Sequence, residues 1–438
     1  MSKKTWIVIG LGLSGLCAPT IFAQSAPPAP ASIEQELDAL KRRIAELENR
    51  QQLERSVNAA KADAQQRDAG PLNTSTNWDS GFVTKSDDGN FQFQPYVEFQ
   101  FRYLLNSLDG DQNIRDGFDI RRASLGLKGH VFSPALKYNL KWITNRDGGG
   151  VSLETGFIQY RLSDRFELRA GQWLSDVFRE SEVGSVRQMG VDRSLVSEVM
   201  GLGELTTQQG VQLRYGHEAE PLRVNVALTD GANSGNTPFT DVVSNYGAQF
   251  RATYKFFGSY KEYADHTALG IKQQLLVAGL SLDYTEADSS FTDTSTTPPT
   301  VRQPTLGVYR HSADVVFKDP GGLSVLGVYY GKFTNSNDDQ AFDFGLLAQV
   351  GYVIPGTNWE PFVQLAYINL ESQPTGVAEE TFYQATAGAT YYYHKQNAKF
   401  TFDVTSLPNG SPKSSTSFGG FASDESQLIL RTQFQLLF

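Results

Sequence analysis

Gln427-Leu428-Ile429-Leu430-Arg431-Thr432-Gln433-Phe434-Gln435-Leu436-Leu437-Phe438 closes the chain. In an extended strand successive side chains point to opposite sides. Leu428, Leu430, Phe434, Leu436 and Phe438 therefore share one face, while Arg431, Gln433 and Gln435 lie on the other. A strand of about ten residues with one apolar and one polar face suits a wall between lipid and water.

The same period recurs upstream. Phe91, Phe93, Val97, Phe99, Phe101 and Tyr103 oppose Gln92, Gln94, Glu98, Gln100 and Arg102. Tyr246, Ala248, Phe250, Ala252, Tyr254 and Phe256 oppose Gln249, Arg251, Thr253 and Lys255, and 342–352 repeats the pattern. Strands of this kind begin near residues 91, 118, 136, 154, 166, 208, 222, 246, 275, 305, 323, 341, 359, 381, 399 and 426. The connections between them alternate in length. Those at 133–135, 163–165, 217–221, 319–322, 354–358 and 394–398 are short. Those at 104–116, 145–153, 232–245, 286–304, 371–380 and 406–424 are long and polar. Residues 257–267 are the exception, a longer turn on the short side. Lipid offers no hydrogen bonds to an open sheet edge, so these strands must close on themselves. The expected fold is all-β: a transmembrane antiparallel barrel of about 16 strands over residues 78–438. A barrel of that size is expected to enclose an open aqueous lumen.

Residues 173–209 break the alternation. They contain helix-like pieces at 175–182 and 194–200, glycines, and Arg179, Arg187 and Arg193. A connection this long is usually functional, and it is expected to fold inward and narrow the lumen. Lumen-facing cations on the first strands are Arg102, Lys128, Lys141, Arg161, Arg169, Arg214, Arg223, Arg251 and Lys255, against the acids Glu98 and Glu167. The later strands offer Asp283, Asp343, Glu360, Asp403 and Arg431. One wall is thus basic and the other mixed. Rings of Arg and Lys select anions by replacing their hydration; charges paired across strands would only keep the lumen wet. The expected anion path is Arg102, Lys128, Arg169, Arg179, Arg187, Arg193 and Arg214.

The chain's beginning has its own logic. Lys3 and Lys4 precede a short apolar run at 6–16 and small residues before Gln24, the layout of a secretory signal peptide over 1–23. The run is too short for a spanning helix. The single cysteine, Cys17, falls inside the signal peptide, so disulfides and thiolate metal sites are excluded from the exported chain. Residues 24–77 read as linkers around a short coiled-coil segment. There Ile33, Leu37, Leu40, Ile44 and Leu47 recur in alternating steps of four and three. A solvated amphipathic helix has the same spacing, so association is the sharper of two readings.

With a net charge of −10 and no basic run, the chain gives no sign of nucleic-acid binding. His130, His217, His266, His311 and His394 are scattered and in no metal-binding spacing, and no motif calls for a cofactor. An enzyme is not expected.

The terminal pattern ending on Phe434, Leu436 and Phe438 resembles the assembly signal that bacterial outer-membrane proteins present to the barrel assembly machinery. Three further stretches, 117–129 (Gly-Phe-Asp-Ile-Arg-Arg-Ala-Ser-Leu-Gly-Leu-Lys-Gly), 168–173 (Leu-Arg-Ala-Gly-Gln-Trp) and 192–196 followed by 210–213, resemble the phosphate-selective porin O/P family. The resemblance implies a homotrimeric, sixteen-stranded porin in the outer membrane of a Gram-negative-type bacterium. It also implies an inward third loop and a ladder of arginines guiding small anions such as phosphate. At 174–178 the chain reads Leu-Ser-Asp-Val-Phe where members often carry a lysine before Pro-Phe, and Asp176 adds a negative charge. A general or cation-preferring porin, or a structural protein tethering the outer membrane to the cell wall, are the alternatives.

Overall fold

The computed structural model describes residues 33–438 except 68–72, 78–80, 111–113, 146–148, 201–206, 233, 238–245, 289–290, 294–299, 303–304, 336–339 and 372–379. The signal-peptide reading of 1–23 lies outside the described residues. The described residues divide into two units, one on each side of position 70. In the first, α1 (Ile33–Arg67) is a helix on which Leu37, Leu40, Ile44 and Leu47 are all more than half exposed.

The second unit is the barrel. A small hairpin, β1 (Asn73–Asn77) and β2 (Gly81–Lys85), pairs with the start of the first long strand. The wall runs β3 (Gln92–Leu108), β4 (Arg115–His130), β5 (Leu136–Thr144), β6 (Val151–Arg161), β7 (Phe166–Leu174), β8 (Thr207–Tyr215), β9 (Leu222–Thr229), β10 (Gly247–Phe257) and β11 (Leu275–Asp288). A loop hairpin, β12 (Phe291–Asp293) and β13 (Thr300–Arg302), interrupts it. It continues β14 (Thr305–Lys318), β15 (Leu323–Asn335), β16 (Gln340–Tyr352), β17 (Trp359–Leu370), β18 (Glu380–His394), β19 (Ala398–Leu407) and β20 (Gln427–Leu437). Each wall strand pairs antiparallel with its neighbours, and β20 returns to β3 to close a 16-stranded barrel. The closing register sets Leu428 against Ser107 and Leu437 against Glu98. Phe438 extends it, its N–H donating to Val97 O at 3.1 Å and its carbonyl accepting from Val97 N at 2.7 Å.

β20 follows its sequence pattern residue by residue. Leu428, Leu430, Phe434 and Leu436 face outward at 36–52% exposure, while Gln427, Ile429, Arg431, Gln433 and Gln435 face inward at 0–3%. Aromatic residues ring both ends of the wall. Tyr246, Tyr284, Tyr309 and Phe333 contact one another in succession at the long-loop end. Trp359, Tyr391, Tyr393 and Phe434 do so at the short-turn end. Such girdles sit at membrane interfaces, and short turns mark the periplasmic side.

The lumen departs from the open channel expected. On the β11–β20 side it is lined by apolar residues, among them Val277, Val316, Leu326, Val328, Leu347, Ile368 and Phe382. Val177, Phe178, Leu195, Val196 and Met200 of the inward segment pack on them, as do Tyr260 and Tyr263 of the turn after β10. The barrel is wide enough for water, but apolar inner residues find a better partner in the chain's own apolar loops, and burying that surface drives the loops in.

Candidate functional site

Between β7 and β8 the chain forms α2 (Arg179–Glu182), a 3-10 turn at Ser185–Arg187, and α3 (Leu195–Met200). This segment reaches the far wall. Val191 N–H donates to Asp403 Oδ2 at 2.9 Å, and Leu195 N–H to Gln384 Oε1 at 2.6 Å. Lys399 Nζ donates to Gln188 O at 2.7 Å and Gln435 Nε2 to Val186 O at 2.9 Å. From the long-loop end, residues 415–419 also reach in: Ser415 Oγ donates to Glu198 Oε2 at 2.9 Å, and Phe418 is fully buried.

Asp192 is the hub toward the adjoining strands, β3 and β4. Arg121 Nε lies 2.7 Å, Arg102 Nη1 3.4 Å and Arg122 Nη2 3.7 Å from its carboxylate. Burial works against its charge, but Arg121, Arg122 and Arg102 outweigh it and hold the carboxyl well below the usual carboxylate range. Two consecutive arginines cannot both face inward from a regular strand. A bulge opposite Gln100 and Phe101 turns Arg121 and Arg122 to the same side. The dipeptide was a legible signal, since one of the pair would otherwise face lipid. A second bulge sets Glu154 beside Lys141, whose Nζ lies 2.6 Å from it and 2.7 Å from Glu98.

The sequence-predicted cations are not gathered into one ladder. Arg102 is buried and bound to Asp119 at 2.7 Å as well as to Asp192. Arg179 is buried, 2.9 Å from Glu182, and stacks 3.6 Å over the Tyr263 ring while donating to the Tyr263 carbonyl. Arg193 turns into the segment itself and donates to Glu180 O at 2.8 Å. Arg169 lies between Phe157 and Trp173, 5.0 and 5.3 Å from their rings. Arg214 is partly exposed, 3.2 Å from Gln159 Oε1 and 3.8 Å from Glu167.

Arg187 and Lys128 differ. Both are exposed and neither makes an ion pair among the described residues. Together they line a vestibule of about 420 Å³ at the short-turn end, with Gln94, Tyr96, Glu98, Asn139 and Glu182. Its acidic side chains are engaged, Glu98 by Lys141, which it shares with Glu154, and Glu182 by Arg179 and Arg251. Lys128 and Arg187 are thus the cations of the vestibule left without an ion pair among the described residues. The terminal residues named as an assembly signal sit on the closing seam, Phe434 and Leu436 facing outward and Phe438 at the rim.

A closed lipid-facing barrel with an aromatic girdle at each end, a segment crossing its lumen and charged residues lining what is left is the architecture of an outer-membrane porin. Within that class, residues 93–284 match the family model of the phosphate-selective porins O and P. The motif stretches at 117–129, 168–173, 192–196 and 210–213 all fall inside the matched region. Similar solved structures include OmpT of Vibrio cholerae, at 12% identity and TM-score 0.53, covering 81% of this chain and 100% of that one. An anion-selective porin from Comamonas acidovorans has 14% identity and TM-score 0.55, covering 79% and 99%. Pseudomonas putida OprB has 10% identity and TM-score 0.54, covering 79% and 94%. At these identities the likeness is one of fold. No curated protein sequence matches the chain. The matched family model is one of porins.

Proposed function

We propose that this porin is a passive channel that prefers small anions and acts on them by no chemistry. The observation that carries this reading is the vestibule. Lys128 and Arg187 stand there exposed and without ion-pair partners, while the neighbouring acids are bound by buried cations. An anion entering the remaining passage loses part of its water and regains donors from the ammonium and the guanidinium. Arg102, Arg121, Arg122, Arg251 and Lys399 bind the inward segment and so shape the passage. Inorganic phosphate is one candidate solute; the anion-selective porin of similar fold supports anions in general. The decisive experiment is the zero-current potential of purified protein in a planar bilayer under a KCl gradient. Anion preference sets its sign, and a potential of the opposite sign refutes the reading.

Export by a signal peptide over 1–23, insertion by the barrel assembly machinery at the Phe438 terminus and residence in outer-membrane lipid complete the proposal. A homotrimer is supported by the trimer form of the similarly folded OmpT. The exposed stripe of Leu37, Leu40, Ile44 and Leu47 on α1 suits a seam between copies of the chain.

A further inference from the structure

Residues 258–274, between β10 and β11, lie at the periplasmic end, where the other turns are short. They do not stay outside. Tyr260, Tyr263, His266, Thr267 and Ala268 are all buried to 4% exposure or less. Gly258, at φ +93°, turns the chain back, and a Cβ there would meet Gln274 O at 2.7 Å. Ser259 caps α4 (Tyr260–Tyr263) by accepting from Lys261 N at 3.2 Å. The turn is then fastened to the wall and to the inward segment. Tyr263 Oη donates to Asp314 at 3.1 Å and accepts from Arg251 at 2.9 Å, under the stacked Arg179. Lys318 Nζ lies 2.8 Å from Asp265 Oδ1, and Thr267 Oγ1 donates to Glu360 at 2.9 Å.

One residue in this arrangement is not fastened. His266 is 3% exposed, and neither Nδ1 nor Nε2 has a hydrogen-bond partner among the described residues. The charges around it are Arg179 and Arg193 from the inward segment, Lys318 from β14 and Lys399 from β19. The acids that could offset them are engaged: Asp265 with Lys318, and Glu360 on β17 with Thr267 and with Tyr392 of β18. An imidazolium here would be buried, unsolvated and ringed by cations. Burial, then those four cations, hold the imidazole well below its ordinary range.

We propose that residues 258–274 are a proton-released gate: protonation of His266 expels the turn from the lumen and widens the pore at its periplasmic end. The inference rests on the channel reading above. In the docked turn the ring is neutral; in the released turn it titrates near 6.5. The histidine's contribution to docking is therefore whole above about pH 6.5 and lost as the pH falls below it. Each further pH unit shifts the docked-to-released ratio about ten-fold, or roughly 30-fold at pH 5.0. Glu180 in the inward segment and Glu360 of β17, buried against Thr267, are the other buried carboxyls to separate, each by its Gln variant.

The test is single-channel conductance of the full-length protein between pH 7.5 and 5.0, a window in which ordinary carboxylates stay ionised. Wild type is expected to show a reversible rise in conductance at the acid end. His266→Gln is expected to lose that rise, and Glu180→Gln and Glu360→Gln to keep it. A His266→Gln channel with the wild-type acid response overturns the gate. A second measurement covers a variant that fails to assemble. Thr267→Cys with Glu360→Cys, bridged by a short bis-thiol reagent, should conduct but not respond to acid. An undiminished acid response in the bridged protein overturns turn release. No conductance in any form at any pH overturns the channel reading, and the gate falls with it.

Discussion

Replacing Arg187 with glutamate reverses one charge at the vestibule without touching the fasteners of the inward segment. Arg187 is exposed and makes no ion pair among the described residues, so the change leaves no buried partner stranded. The size of the effect follows from the geometry. An anion within a space of about 420 Å³ passes roughly 6 Å from the residue 187 charge. Coulomb's law in water gives about 0.7 kcal/mol per unit charge at that distance. Going from +1 to −1 doubles it to about 1.4 kcal/mol, a ten-fold change in local anion occupancy. Screening at 0.1 M salt, with a Debye length of about 10 Å, trims this to about 3.5-fold. The assay is the zero-current potential in a KCl gradient, repeated at 0.1 M and 1 M mean salt. Arg187→Glu is expected to lower the anion-to-cation permeability ratio about 3.5-fold at the lower salt and far less at the higher. Lys128→Glu should act in the same direction. Unchanged selectivity in the Arg187→Glu, Lys128→Glu double variant refutes the vestibule as the filter.

Asp192→Asn strands Arg102, Arg121 and Arg122 around a neutral amide, and breaking a buried pair of this kind costs about 3–5 kcal/mol. It should free the inward segment, seen as faster tryptic cleavage and a lower unfolding temperature; wild-type protease resistance would show that the hub does not hold the segment. Deleting Phe438 removes the last ladder bonds to Val97, and the yield of heat-modifiable folded barrel should fall; an unchanged yield counts against the terminal assembly signal. Leu40→Cys should cross-link between copies of the chain, since Leu40 lies on the exposed stripe of α1; a trimer that never cross-links there removes the coiled-coil reading.

Period two along β20 and β10 was enough to give strand direction, inner and outer faces and the need for closure. Each of these follows from one strand meeting lipid on one side. All 16 wall strands begin within three residues of the starts read from alternation and turn chemistry, as at Gln92, Leu136 and Phe166. The inward segment was legible as a break in that alternation. What fills the lumen was not. β15 is apolar on both faces, with Val325 and Tyr329 outside and Leu326, Val328 and Tyr330 inside. Nothing in its own residues distinguishes a side wet with water from one that receives Phe178 and Val196. Nor could alternation say which inward arginines are free. It points Arg102 into the lumen, but of the two acids that bind it only Asp119 lies on the neighbouring strand, and Asp192 lies 90 residues further on. Asp192 reaches it only because the intervening chain crosses the barrel. Facing is a local property of the strand, whereas pairing and filling depend on which distant segments the closed wall brings within a few ångströms. Tertiary structure alone therefore left Arg187 and Lys128 exposed in the vestibule and His266 buried without a partner.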